Sequence, residues 1–113
     1  MSNEKERDGR PDRGGTDVIE RTDAKDKVKK PKMYRVVLLN DDYTPMDFVV
    51  YALQRIFHKG IDEAMTIMMS VHQKGTGTAG VYTLEVAETK SMETIALAKG
   101  DGHPLNCVVE PEA

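Results

Sequence analysis

The first 31 residues hold nine Lys/Arg, eight Asp/Glu, five apolar side chains and no aromatic ring. A segment of this kind cannot bury enough apolar surface to offset the entropy lost on ordering the chain. With Gly9, Pro11, Gly14, Gly15 and Pro31 inside it, residues 1–31 are expected to form a flexible N-terminal extension. All four tyrosines, both phenylalanines and six of the seven methionines lie beyond it. Whatever core this chain has must be built from residues 32–113, a length suited to one small domain.

That segment carries seven basic and eleven acidic side chains, a net charge of −4. A nucleic-acid binder normally presents a basic face on its folded part. A small ribosome- or nucleic-acid-associated module is therefore only the alternative reading, resting on Lys25, Lys27, Lys29, Lys30 and Lys32. No run approaches the roughly 18 apolar residues of a membrane span, and the first 30 residues lack the apolar centre of a secretion signal, so a cytoplasmic location is expected. The single cysteine, Cys107, has no second cysteine and no closely spaced histidine. It reads as an ordinary strand residue, not as part of a disulfide or zinc site.

Residues 33–39, Met-Tyr-Arg-Val-Val-Leu-Leu, are rich in β-formers and stop at Asn40-Asp41-Asp42, which predicts a strand feeding a turn. Thr44 is placed to cap a helix and Pro45 to occupy its first position, with Asp47 in the first turn. Phe48, Val49, Ala52, Leu53, Ile56 and Phe57 then recur at helical spacing, giving a helix over 45–58 that stops before Gly60. A second helix is expected from a cap at Asp62 through Ala64, Met65, Met68, Met69 and His72 to Gly75. Residues 75–80, Gly-Thr-Gly-Thr-Ala-Gly, read as a mobile turn. They are not a phosphate loop, because no strand leads into them and no Gly-Lys-Ser/Thr follows. A strand over 81–86, a short helix over 89–99 and a last strand over 106–109 complete the order βααβαβ. The expected architecture is α+β, a small three-stranded antiparallel sheet packed against three helices.

Candidates for chemistry are few. His58, His72 and His103 are too widely spaced for a local metal motif. His58 suits a helix end and His103 a turn, whereas His72 follows Met65 and Met68 on one helical stripe, at the rim of an apolar surface. A small hydrolase using His72 with Asp41 or Asp42 would need a nucleophile in a strained turn nearby, and none is evident.

The stretch Tyr34-Arg35-Val36-Val37-Leu38-Leu39-Asn40-Asp41-Asp42-Tyr43-Thr44-Pro45-Met46-Asp47-Phe48-Val49 resembles the opening signature of the ClpS family. Ser70-Val71-His72, the run from Gly80-Val81-Tyr82 to Glu88-Thr89-Lys90, and His103-Pro104-Leu105 resemble its later motifs. Order and spacing agree over residues 33–110. The glycine- and threonine-rich residues 75–79 and Gly100-Asp101-Gly102 depart from the family pattern, outside the pocket residues. The resemblance implies a non-enzymatic adaptor without cofactor or metal. Such a protein captures proteins by a bulky N-terminal Phe, Tyr, Trp or Leu and passes them to the N-terminal domain of the ClpA unfoldase, for degradation by ClpP. Carried over by residue, contacts with the substrate's α-amino group fall on Asn40, Asp42 and His72, and Asp41 and Thr44 border the entrance. The side-chain pocket falls on Leu38, Met46, Val49, Met68, Val71 and Leu105, and the unfoldase contact on Glu85 and Lys90. The extension, able to span on the order of 30 Å as a coil, would serve delivery.

A physical logic stands beside the resemblance. A chain terminus differs from an internal residue by an ammonium with a pKa of about 7.7–8.0. An acidic, hydrogen-bonding cup beside an apolar pocket therefore selects a free terminus that also bears a bulky side chain.

Overall fold

The computed structural model describes residues 30–112, and the expected flexible extension falls, but for its last two residues, outside them. The element order is β1 (Met33–Leu39), α1 (Met46–Arg55), α2 (Ile61–Lys74), β2 (Thr76–Thr83), α3 (Leu84–Gly100) and β3 (Asn106–Pro111). The strands form one sheet in the order β2-β1-β3, with both pairings antiparallel. This is the expected α+β arrangement of three strands and three helices.

The central strand divides its side chains between two faces. Val36 and Leu38 are fully buried in the main core, Cys107 of β3 is buried with them, and Val109 of β3 packs against that core partly buried. On the other face Arg35 and Glu110, opposite each other in register, form an ion pair of 2.8 Å. Helix α2 contributes Ala64, Met68 and Val71 to the core, at spacings of four and three residues. Helix α1 packs on α2 and buries Phe48, Val49, Val50, Ala52 and Leu53.

Four expectations are corrected. Residues 76–80 are not a mobile turn but the first part of β2, paired with Val36–Leu39. Two glycines in that strand sit where the fold leaves no room for a side chain. A Cβ on Gly77 would lie 2.8 Å from Val71 Cγ2 and 3.0 Å from the Ile67 carbonyl, so α2 rests directly on the strand. At Gly80 the space is filled by the ring of Tyr82, two residues along on the same face. Between them the ladder slips by one residue, Val36 facing Gly80 and Val37 facing Thr78, which leaves Ala79 as a bulge residue that is fully buried.

Second, the strand expected over 81–86 ends at Thr83 and α3 begins at Leu84. The partner strand starts at Met33, which pairs with Thr83, so residues beyond have no ladder to join. Third, α2 is preceded by Gly60, not capped by Asp62, while Gly75 closes it as expected, in the left-handed conformation at φ 89°. The fourth concerns α1, which ends at Arg55, short of residue 58. His58 adopts φ 57°, Lys59 N–H donates to the Leu53 carbonyl at 3.1 Å, and Lys90 Nζ donates to the Ile56 carbonyl at 2.7 Å. These contacts satisfy helix-end acceptors that would otherwise lack partners. Because a left-handed conformation costs a residue with a Cβ roughly 1–2 kcal/mol, part of which glycine's greater freedom when unfolded returns, His58→Gly is expected to stabilise the fold by about 1 kcal/mol. Urea denaturation measures the difference.

Candidate functional site

Three chain ends converge at one edge of the domain. Strand β1 stops at Leu39, and Asn40 N–H donates to the carbonyl of Gly75, 2.9 Å away, at the C-terminus of α2. The backbone of Asn40 is thereby fixed beside the last turn of α2, which contains His72. Ser70 Oγ donates to the Thr76 carbonyl at 2.9 Å and closes the same corner. The connection from β1 to α1 then folds back on itself around Asp41. Its carboxylate accepts from Tyr43 N–H at 2.8 Å, Thr44 N–H at 2.7 Å and Thr44 Oγ1 at 2.8 Å, an Asx turn that delivers the chain to Pro45 and the start of α1.

The expectation that Thr44 caps α1 is thus corrected. Pro45 is the flanking residue, no side chain caps the helix, and the Thr44 hydroxyl is donated backwards to Asp41. Burial pushes the Asp41 carboxyl up, but the hydrogen bonds from Thr44 and Tyr43, with the nearby charge of His103, outweigh it and hold the group below its ordinary 3.8. A lowered carboxyl pKa stabilises the fold above the unfolded-state value, and that contribution is lost as pH falls through the folded value. Asp41→Asn is therefore expected to flatten the acid limb of the melting-temperature profile below about pH 3.8, as followed by circular dichroism.

These elements enclose a cavity of about 400 Å³ lined by Asn40, Asp41, Asp42, Tyr43, Thr44, Pro45, Met46, Val49, Met68, Val71 and His72. Its floor is apolar, since Val49, Met68 and Val71 are buried. Its rim is polar on one side, where Asn40, Asp42 and His72 are exposed, and carries Met46, 47% exposed, on another. The C-terminal end of α2, with its negative dipole end, lies on the polar side and favours a cation there. An arrangement of this kind can hold a cationic group at its rim and an apolar side chain within.

Nine of the eleven residues expected to bind a terminus line this single cavity. Leu38 and Leu105 do not. Both lie in the main core with Val49, Met68 and Val71, at 0% and 3% exposure, so they stand behind the wall instead of forming it. Tyr43 and Pro45 line the cavity without having been assigned to it. Pro45 was absorbed by its role as a helix starter, and Tyr43, 81% exposed, gave no periodic signal. Glu85 and Lys90 lie elsewhere, on α3, along a separate hollow of about 530 Å³ that also includes Val86, Met92 and Glu93. Glu85 is exposed in the first turn of that helix, whereas Lys90 is half-buried, its ammonium 5.7 Å from the centre of the Tyr82 ring. Among the described residues no helix is long and apolar enough to cross a membrane.

Comparison with known proteins bears on the family and the fold. The family profile of the ATP-dependent Clp protease adaptor protein ClpS matches residues 29–108. The chain is 52% identical over 112 residues to the ATP-dependent Clp protease adapter protein ClpS of Parvibaculum lavamentivorans, covering 99% of this chain and 100% of the relative. It is 54% identical over 100 residues to the protein of the same name from Deinococcus radiodurans, covering 88% and 85%. Among solved structures, that of Agrobacterium tumefaciens ClpS2 bound to L-phenylalaninamide superimposes with a TM-score of 0.71 at 42% identity, covering 74% of this chain and 100% of that one. With a family match over most of its length, these relatives and the same arrangement of strands and helices, the chain belongs to the ClpS family of ATP-dependent Clp protease adaptor proteins.

Proposed function

We propose that the cavity captures proteins by a free N-terminal Phe, Tyr, Trp or Leu, and that the chain delivers them to the ClpA unfoldase for degradation by ClpP without performing chemistry itself. The observation that carries this reading is the joining, in one cavity, of a polar rim of Asn40, Asp42 and His72 to an apolar floor of Val49, Met68 and Val71. L-Phenylalaninamide, bound by the Agrobacterium relative, has the same two parts, a free amine and an aromatic side chain. Each hydrogen bond to a charged group contributes about 1.5–3 kcal/mol, and burial of a Leu- or Phe-sized side chain adds about 1.5–3. After association costs, micromolar or tighter binding follows. A labelled peptide beginning with free Phe should bind while its N-acetylated twin does not. Equal affinity for the two would reject the reading.

Met46 stands at the rim, where its flexible side chain limits what enters. Met46→Ala is expected to admit β-branched termini such as Val and Ile, with a gain of roughly tenfold relative to Phe. The ranking of terminal residues in a competition assay checks this. Delivery is assigned to α3, where exposed Glu85 and half-buried Lys90 border the hollow described above.

A further inference from the structure

Two methionines line the cavity, and they differ in what guards their sulfur. Met68, in the floor, is 6% exposed, whereas Met46, at the rim, is 47% exposed. Met46 is the first residue of α1 and belongs neither to the buried core nor to the partly buried apolar residues packed against it. Its thioether is open to solvent, and a change in its polarity falls on the cavity instead of on the fold. Met65 and Met92 are similarly open, at 44% and 69%, but they lie on α2 and α3 and do not line the cavity. Cys107, the chain's one cysteine, is buried, and burial pushes its thiol up, so little reactive thiolate exists there to compete for an oxidant.

We infer that Met46 is a site of reversible oxidation by a peroxide, and that its sulfoxide turns away the apolar termini that the thioether admits. The inference rests on the reading that the cavity holds a free terminus. In the step, one oxygen of hydrogen peroxide passes to Sδ as the O–O bond breaks. Sulfur gives up two electrons and the other oxygen leaves as water. The product sets a polar group in a wall that was apolar. It does so on the α1 side of the rim, whereas Asn40 and Asp42 follow β1 and His72 lies in the last turn of α2. The new dipole therefore meets the side chain of the terminus and not its ammonium. A Phe side chain that enters strips water from the sulfoxide and offers no donor in return. Conversely, an occupied cavity covers the sulfur and keeps peroxide from it.

The test treats the full chain with dilute hydrogen peroxide, with and without a peptide that begins with free Phe. Oxidised methionines are mapped by mass spectrometry, and binding is read by fluorescence anisotropy. Met46, Met65 and Met92 are expected to be oxidised, with the peptide slowing the reaction at Met46 alone. Affinity for the Phe peptide should fall about tenfold while the melting temperature stays nearly unchanged. Methionine sulfoxide reductase with a dithiol should restore it. Compared before and after treatment, Met46→Leu should show no such fall, and Met92→Leu should show the full one. A Met46 that stays unoxidised, a Met46 sulfoxide that binds as before, or an equal fall in Met46→Leu overturns the inference alone, provided the untreated protein separates free from acetylated Phe peptides. Failure of that separation before any peroxide is added overturns the terminus reading and the inference with it.

Discussion

Replacing Asp42 with alanine is expected to weaken binding of a free N-terminal Phe peptide by about ten- to a hundredfold, the equivalent of losing one hydrogen bond to a charged group. Asp42 is exposed at the cavity rim, so the change removes a charge partner without touching the core. Thermal stability should stay near that of the wild type. All bulky termini should lose affinity by a similar factor, because the apolar floor of Val49, Met68 and Val71 is unaltered. A set of Phe, Tyr, Trp and Leu peptides measured by anisotropy checks both points. A loss confined to one side chain would place Asp42 at the wrong part of the site.

Leu38→Ala is expected to act in the opposite way. Leu38 is fully buried at the centre of the sheet, and it does not line the cavity. Truncating such a side chain costs about 2–5 kcal/mol through lost burial and the void left behind. Denaturant unfolding should show that loss, while protein that remains folded keeps its ranking of terminal residues. A change in ranking with stability intact would return Leu38 to the pocket wall.

Helix α1 was legible because apolar residues recur on its inner face, and five of them, Phe48, Val49, Val50, Ala52 and Leu53, lie in the core. The start of α3 was not, for a reason visible in its packing. Its buried stripe is Ala87, Ser91, Thr94 and Ala98, small side chains that bring the helix close to all three strands. The apolar residues that normally betray a helix, Leu84, Val86 and Met92, are exposed on it instead. Val81 to Val86 alternates like a strand, and only the length of the neighbouring strand decides where the alternation stops mattering. Residues 76–80 failed for a related reason. Glycine signals a turn to a local reading, yet Gly77 is set by the approach of α2, and that contact joins residues far apart in the chain only after folding. The polar rim was carried by the family resemblance. Spacing alone placed Asn40-Asp41-Asp42 in a turn and could not divide the work between Asp41, which builds the turn, and Asp42, which is free to face a ligand.

The ammonium of Lys90 joins the end of α1 to α3 through the Ile56 carbonyl and lies over the face of Tyr82. A lysine on an open surface samples many rotamers, and a partner that grips it must suppress that freedom, at up to about 2 kcal/mol for so long a side chain. Here folding has already suppressed it. Any protein docking on α3 meets a cation whose position is fixed before the encounter, beside a carboxylate, Glu85, that remains free to adjust. In the docking proposed above for this helix, the fixed charge would set the register of the complex and the free one would accommodate variation in what arrives.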